Sequence, residues 1–257
     1  MIASDLASGV NSPNISRSIE EISLVIAARG LSPTMMSIEF LKFGGIIPQA
    51  WELAQQPVLN PNFAQLSFTN GVRLEAQSSS VTFNEPIGDR QELVIPLVAE
   101  NYIKKLPHAE YVGMSFSPTI LFPFPEDPGA VRDYITGTLL GSGSWKRIGL
   151  APVQAGINLM YLLDRCQLTI SVSEAKLQKP QEAPIVAILF SGSFNYNINL
   201  GTNLAENRAS QILNFLNNWQ SDLTEFRAIV NREFLDSSNT ESESSIGETS
   251  LFPGQTL

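Results

Sequence analysis

A chain of 257 residues with 43% apolar content carries enough apolar surface for a real core, which excludes global disorder. Its net charge of −9, from 16 basic against 25 acidic residues, excludes the basic footprint that nucleic acid or an anionic membrane surface requires. The single cysteine, Cys166, excludes an internal disulfide.

Residues 1–18 are small and polar and read as a flexible lead-in. They lack the basic-then-apolar pattern of a signal peptide. No apolar run approaches the ~20 residues of a membrane span, so the expected location is the cytoplasm. Ile22 to Arg29 is apolar and β-branched, as a buried strand is. Met35 to Phe43 fits a strand or a short helix, and Gly44-Gly45 ends it. Ile46 to Asn62 reads as a long loop pinned by Trp51 and Leu53. Around Asn70-Gly71 a hairpin is predicted. A two-residue turn would pair Phe68 with Arg73 and mix the faces. A three-residue loop, Thr69 to Gly71, pairs Phe68 with Val72 and Leu66 with Leu74, so that register is predicted. Ser78 to Ser80 turns the chain into a third strand, Val81 to Glu85.

Pro96 suits the first turn of a helix running to about Lys105, and Pro107 stops it. Tyr111 to Ser117 reads as a strand, followed by a turn-rich connector from Leu121 to Pro128. Asp127-Pro128 predicts a capped helix start, with Val131, Tyr134, Ile135, Thr138 and Leu139 on one face and Gly141 at the end. A second hairpin follows. A four-residue loop, Asp164 to Gln167, would pair Leu163 with Leu168, Tyr161 with Ile170 and Leu159 with Val172. Pro184 to Asn197 supplies a central strand. Asn203 to Leu235 is one long helix or two stacked ones, with a kink or restart expected near Ser221 to Glu225. Beyond Asp236 the chain is rich in Ser, Glu and Thr and reads as a disordered acidic tail. Removing Asp236, Glu241, Glu243 and Glu248 leaves −5 of the −9.

Side chains for ordinary catalysis are scarce. His108, the only histidine, reads as a turn residue beside Pro107, and Cys166 as an inert thiol near a hairpin loop. One His and one Cys cannot fill a tetrahedral zinc site. Glu126-Asp127 is the closest acidic pair, but Asp127 already serves as a helix cap. Gly141, Gly143 and Lys146 mimic a phosphate loop, yet Gly141 ends a helix where such a loop follows a strand. No catalytic, cofactor-binding or metal-binding residue is assigned. Two apolar groups are candidates for partner binding. One is the connector aromatics Phe122, Phe124 and Trp145, which either tuck onto the body or form an adhesive patch. The other is the last helix, where Trp219, Leu223 and Phe226 belong to a heptad-like seam that packs on the protein's own sheet or on a partner.

Two stretches carry a family likeness. Gly44 to Leu53 with Ala64 to Gln77, and Phe194-Asn195-Tyr196 with Asn218-Trp219, resemble an uncharacterised family of cyanobacterial proteins of about this length, over most of the body. The resemblance implies a cyanobacterial cytoplasm and no particular activity. The strand–helix order is similar to that of SecB-like chaperones, in element order alone.

The expected fold is α+β, with antiparallel meanders in one or two sheets covered by helices, a long C-terminal helix and a disordered tail. Residues 19–235 are expected to form one compact domain, with 141–150 the best place for an internal boundary. The expected function is a non-enzymatic protein-interaction or assembly factor, binding a protein partner or itself as a homodimer through a sheet edge or the last helix. The alternative is a small-molecule binder with an apolar pocket between sheet and helices and polar contacts from Asn158, Asn195 or Asn197.

Overall fold

Strand β1 (Ile19–Arg29) buries Ile22, Leu24, Ile26 and Ala28 on one face and half-exposes the residues between them. The computed structural model that places it describes residues 18–236, apart from 91, 126, 128, 142, 179–182 and 199–204. The lead-in before Ser18 and the tail after Asp236 lie outside the described residues, as do Glu126 and Pro128.

After β1 the undecided segment is helical. A 3-10 turn (Pro33–Met35) leads into α1 (Ile38–Phe43), where the Ser37 hydroxyl accepts from the Phe40 N–H at 3.1 Å. The loop beyond is pinned as expected. Trp51 meets Phe68 edge-on with centroids 5.0 Å apart, and Leu53 bridges to the Phe68 backbone. Within it lies the two-residue strand β2 (Val58–Leu59). The meander is β3 (Phe63–Ser67), β4 (Arg73–Gln77) and β5 (Ser80–Pro86). Its first turn has the expected three-residue form: Leu66 faces Leu74, and the Phe68 N–H donates to Val72 O at 2.9 Å. Gly71 sits at φ 84°, a conformation that costs a side chain but not glycine.

Helix α2 (Ile95–Lys105) starts where the sequence predicts. What anchors it comes from β5: Glu85, fully buried, accepts from the Val94 and Ile95 N–H groups at 2.8 and 2.9 Å. Those are orphan donors of the first helical turn, and a carboxylate there also faces the positive end of the helix. Arg90 Nη1 donates to the same carboxylate at 2.8 Å, and its Nη2 reaches Asn70 O in the hairpin turn.

The second part of the chain repeats this plan. It contains β6 (Glu110–Pro123), α3 (Ala130–Asp133) with a π-helical turn (Tyr134–Leu139), β7 (Gly156–Leu162), β8 (Gln167–Leu177) and β9 (Ile185–Asn197). Helices α4 (Ala205–Leu216) and α5 (Trp219–Ile229) close it, α5 continuing as a π-helical turn (Val230–Leu235). The nine described strands join one antiparallel sheet in the order β2-β3-β4-β5-β1-β6-β9-β8-β7. In each half a strand is followed by a helical segment, then a three-stranded meander whose last strand returns beside the first, then a helix. β1 and β6 pair antiparallel at the seam, so the strand order β3-β4-β5-β1 is mirrored by β7-β8-β9-β6.

Among the described residues, the helices lie over one face of the sheet. There Phe83, Phe116, Phe190, Phe194 and Tyr196 meet side chains of α2, α4 and α5 in one core. The other face carries Ser23, Ser115, Ser117, Thr119, Ser191 and Ser193, all half-buried, with Ser115 and Ser193 hydrogen-bonded at 3.0 Å.

Three expectations are corrected. The connector at Leu121 is instead the end of β6, so Phe122 lies in a strand and packs edge-on against Phe190 at 6.0 Å. The misleading signal was proline. Pro118 sits inside a central strand because the β6–β9 ladder is interrupted at Ser117 and Pro118, where no N–H is required. The final helix breaks at Asn217 and Asn218, not at Ser221. The π-helical turn after α3 buries Thr136 and leaves Thr138 exposed, while Val131 and Ile135 face the core as expected. The predicted cap is present: Asp127 Oδ1 accepts from the Gly129 and Ala130 N–H groups at 2.9 and 3.1 Å.

Candidate functional site

The outer hairpin of the second half, β7–β8, carries three large exposed apolar side chains in one described strand, Met160, Tyr161 and Leu162. Its strand β7 reads Gly-Ile-Asn-Leu-Met-Tyr-Leu, without a charge or a proline. Alternation puts Ile157, Leu159 and Tyr161 on the helix side, opposite Val172, Ile170 and Leu168. Those β8 partners are buried, but the described helices do not extend over β7. Ile157 and Leu159 stay half-exposed, and Tyr161 is 41% exposed. On the other side Met160 is 67% and Leu162 86% exposed. Ile148 and Leu150, in the connection before β7, are also exposed.

The turn differs from the predicted one. Leu163 N–H donates to Cys166 O at 2.9 Å, so only Asp164 and Arg165 lie between them. The register is therefore two residues away from the expected pairing, which leaves every side chain on its expected face. The cause is a tertiary latch. Arg165 reaches across to α5, giving Asp222 Oδ1 two bonds, from Nε at 3.0 Å and Nη2 at 2.6 Å, and a further one to Glu225. Tyr196 OH donates to Asp222 Oδ2 at 2.8 Å, and the Arg165 guanidinium lies 5.7 Å from the Phe194 ring centre. The Tyr196 ring stacks on Phe215 at 5.1 Å.

Burial lowers the proton affinity of Arg165, but its hydrogen bonds to Glu225, Asp222 and Tyr196 outweigh that and leave it above its ordinary value. Burial pushes the Asp222 carboxyl up, and Arg165 and Tyr196 pull it only part of the way back. One rise records a stabilised cation and the other the cost of burying an anion. Three donors on the two Asp222 oxygens offset part of that cost. Burial likewise pushes the Cys166 thiol up, which keeps it protonated and unreactive. This cluster is a clamp that holds the β7–β8 turn against α5, and every polar group in it has a structural partner.

The sequence-derived candidates fall elsewhere. Phe226 is fully buried, its ring lying over Gly192, and Leu223 is 6% exposed. Neither is available to a partner while α5 is docked, because the broad apolar face of the helix packs on its own sheet. Phe122 is buried. Phe124 is half-buried and extends the sheet through its N–H to Val186 O at 2.8 Å, so the two do not form an exposed patch. Trp145, in a 3-10 turn (Ser144–Arg147), is half-buried with Lys146 Nζ 5.6 Å from its ring. Trp219 is half-buried at the start of α5. Asn158 and Asn195 lie on the open face of the sheet, away from the helices, because Phe194 and Tyr196 take the inward positions. They do not line a pocket between sheet and helices.

His108 borders two open depressions of about 610 and 370 Å³, beside Arg29 and Lys105 in one and Lys104 in the other. Among the described residues, Glu110 is the one carboxylate that lines either. Among the described residues no group of three or more His, Cys, Asp or Glu side chains is placed to hold a metal ion. No described helix is long and apolar enough to cross a membrane. The alternation of β7 matches that of an internal strand, so the one sequence signal of its exposure is the lack of any charge. No protein-family model matches the chain, and no curated protein matches it significantly.

Proposed function

We propose that this chain acts in the cytoplasm by binding protein, as an interaction or assembly factor, and that β7 is the surface it binds with. One observation carries the reading: a seven-residue outer strand has a backbone edge that no described strand covers and large apolar side chains exposed on both faces. Soluble proteins usually blunt such an edge with charge, proline or a bulge, because it templates pairing with another strand. β7 has none of these, and its pairing to β8 is regular along its whole length. Added strands gain main-chain hydrogen bonds for affinity and alternate side-chain contacts for selectivity. The Arg165–Asp222 clamp supports this use by holding the hairpin in one position before a partner arrives, which lowers the ordering cost of binding.

Affinity purification compares the wild type with a folded double variant, Met160→Lys with Leu162→Lys. Partners, other copies of the chain included, are expected with the wild type and depleted with the variant. An identical set with both proteins would remove β7 from consideration.

A further inference from the structure

Resting on that reading, we propose that the partner of β7 is β7 of a second copy, paired antiparallel about Leu159 to give one continuous sheet of two chains. The hydrogen-bond pattern selects this register. Leu163 turns its N–H toward β8, so alternation also turns the main-chain groups of Tyr161, Leu159 and Ile157 toward β8. The outward N–H and C=O groups therefore belong to Gly156, Asn158, Met160 and Leu162. A two-fold centred on Leu159 sets Gly156 opposite Leu162 of the second copy and Asn158 opposite its Met160. Every outward group then meets an outward group, for about eight new main-chain hydrogen bonds.

Side chains agree with the register. On the helix side Ile157 would face Tyr161 of the second copy, and Leu159 would face its own counterpart at a non-hydrogen-bonded position, where side chains approach most closely. The chain's own described helices leave all three of these inward-directed residues partly or largely uncovered. On the open side the exposed Met160 and Leu162 gain neighbours. No charged residue occurs between Gly156 and Leu162, so no like charges meet along the paired strands although each chain carries −9. A two-fold normal to the sheet also keeps the helix-covered faces on the same side, so neither copy's helices obstruct the other. A foreign strand would have to supply an uncharged apolar sequence to match; a second copy supplies it by symmetry.

Light scattering on the full chain should give twice 28.1 kDa, with the Met160→Lys, Leu162→Lys variant returning to 28.1 kDa at unchanged circular dichroism. In a Cys166→Ser background, Leu159→Cys should form a disulfide-linked dimer on mild oxidation, since paired Cα atoms at about 4.5 Å fall within disulfide reach. Leu162→Cys, which would face Gly156, should not. A mass of 28.1 kDa at all concentrations without the Leu159→Cys link overturns the self-pairing, and so does a dimer that persists in the lysine variant. If the wild type is monomeric, a labelled extended Thr/Val peptide separates the two ideas. Binding lost in the lysine variant overturns only self-pairing, whereas no binding overturns the edge reading as well.

Discussion

At one end of the sheet, β2 is two residues long and sits between Pro57 and Pro61; at the other, β7 runs for seven residues without proline or charge. Both halves share a four-strand plan, and the difference lies in β2, an added strand that has no described counterpart beside β7. The first half ends its sheet in a short strand flanked by residues that cannot donate, and offers little to pair with. The second half stops with a full strand and leaves it open. Each half also fixes its arrangement with one buried carboxylate, used in opposite ways. Glu85 reaches from a strand to hold a helix, whereas Asp222 reaches from a helix to hold a strand turn. The first arrangement builds the core; the second positions the edge.

The largest expected effect separates those carboxylates. Glu85→Ala strands two N–H groups of α2 and takes the carboxylate from Arg90, and should cost about 3–5 kcal/mol in urea unfolding. Asp222→Ala strands the Tyr196 hydroxyl but leaves Arg165 with Glu225, and should cost less, about 2 kcal/mol. Equal losses would end the distinction between a core support and a positioning clamp. Next comes Gly192→Ala. Its Cβ would stand 2.7 Å from Phe226 Cδ2, displacing α5 at about 1–3 kcal/mol by the same measurement.

A smaller effect concerns pH. The Asp222 carboxyl is raised by burial, so the folded state binds its proton more readily than the unfolded chain does. Its contribution is present below the unfolded value and lost as pH rises through the folded one. Thermal melts should therefore show the wild type gaining on Asp222→Asn as pH falls from neutral to about 4. A gap that moves the other way would mean that the ion pair outweighs burial. The smallest stability effect is expected at β7 itself. Met160→Lys should stay within about 0.5 kcal/mol of wild type, because the side chain is 67% exposed. A large loss would make β7 part of the core and remove the contrast with β2.

Proline and glycine misled in one place and guided in another. Around Asn70-Gly71 the turn chemistry and the two strand patterns agree, and only one register keeps Leu66, Phe68, Val72 and Leu74 on a single face. At Asp164-Arg165 no glycine marks the turn, because the contact that sets it comes from α5, far along the chain. Pro123 made the end of β6 look like a loop, although Phe122 packs on Phe190 in the middle of the sheet. The seam Trp219, Leu223 and Phe226 was visible as an apolar face. Whether it met a partner or the parent sheet depended on Gly192, whose missing side chain admits the Phe226 ring.

By itself, then, the sequence determined the local elements: strands from β-branched alternation, helix starts from Pro96 and Asp127, the first hairpin from Gly71, and an α+β composition with little catalytic chemistry. Those follow from interactions within a few residues, which periodicity and turn preference record directly. Only the tertiary structure decided that the strands form one sheet, that α5 lies over Gly192, and that β7 is outermost with its apolar side chains uncovered. Such features depend on which distant surfaces meet, and an alternating strand reads the same whether its neighbour is a second strand or water.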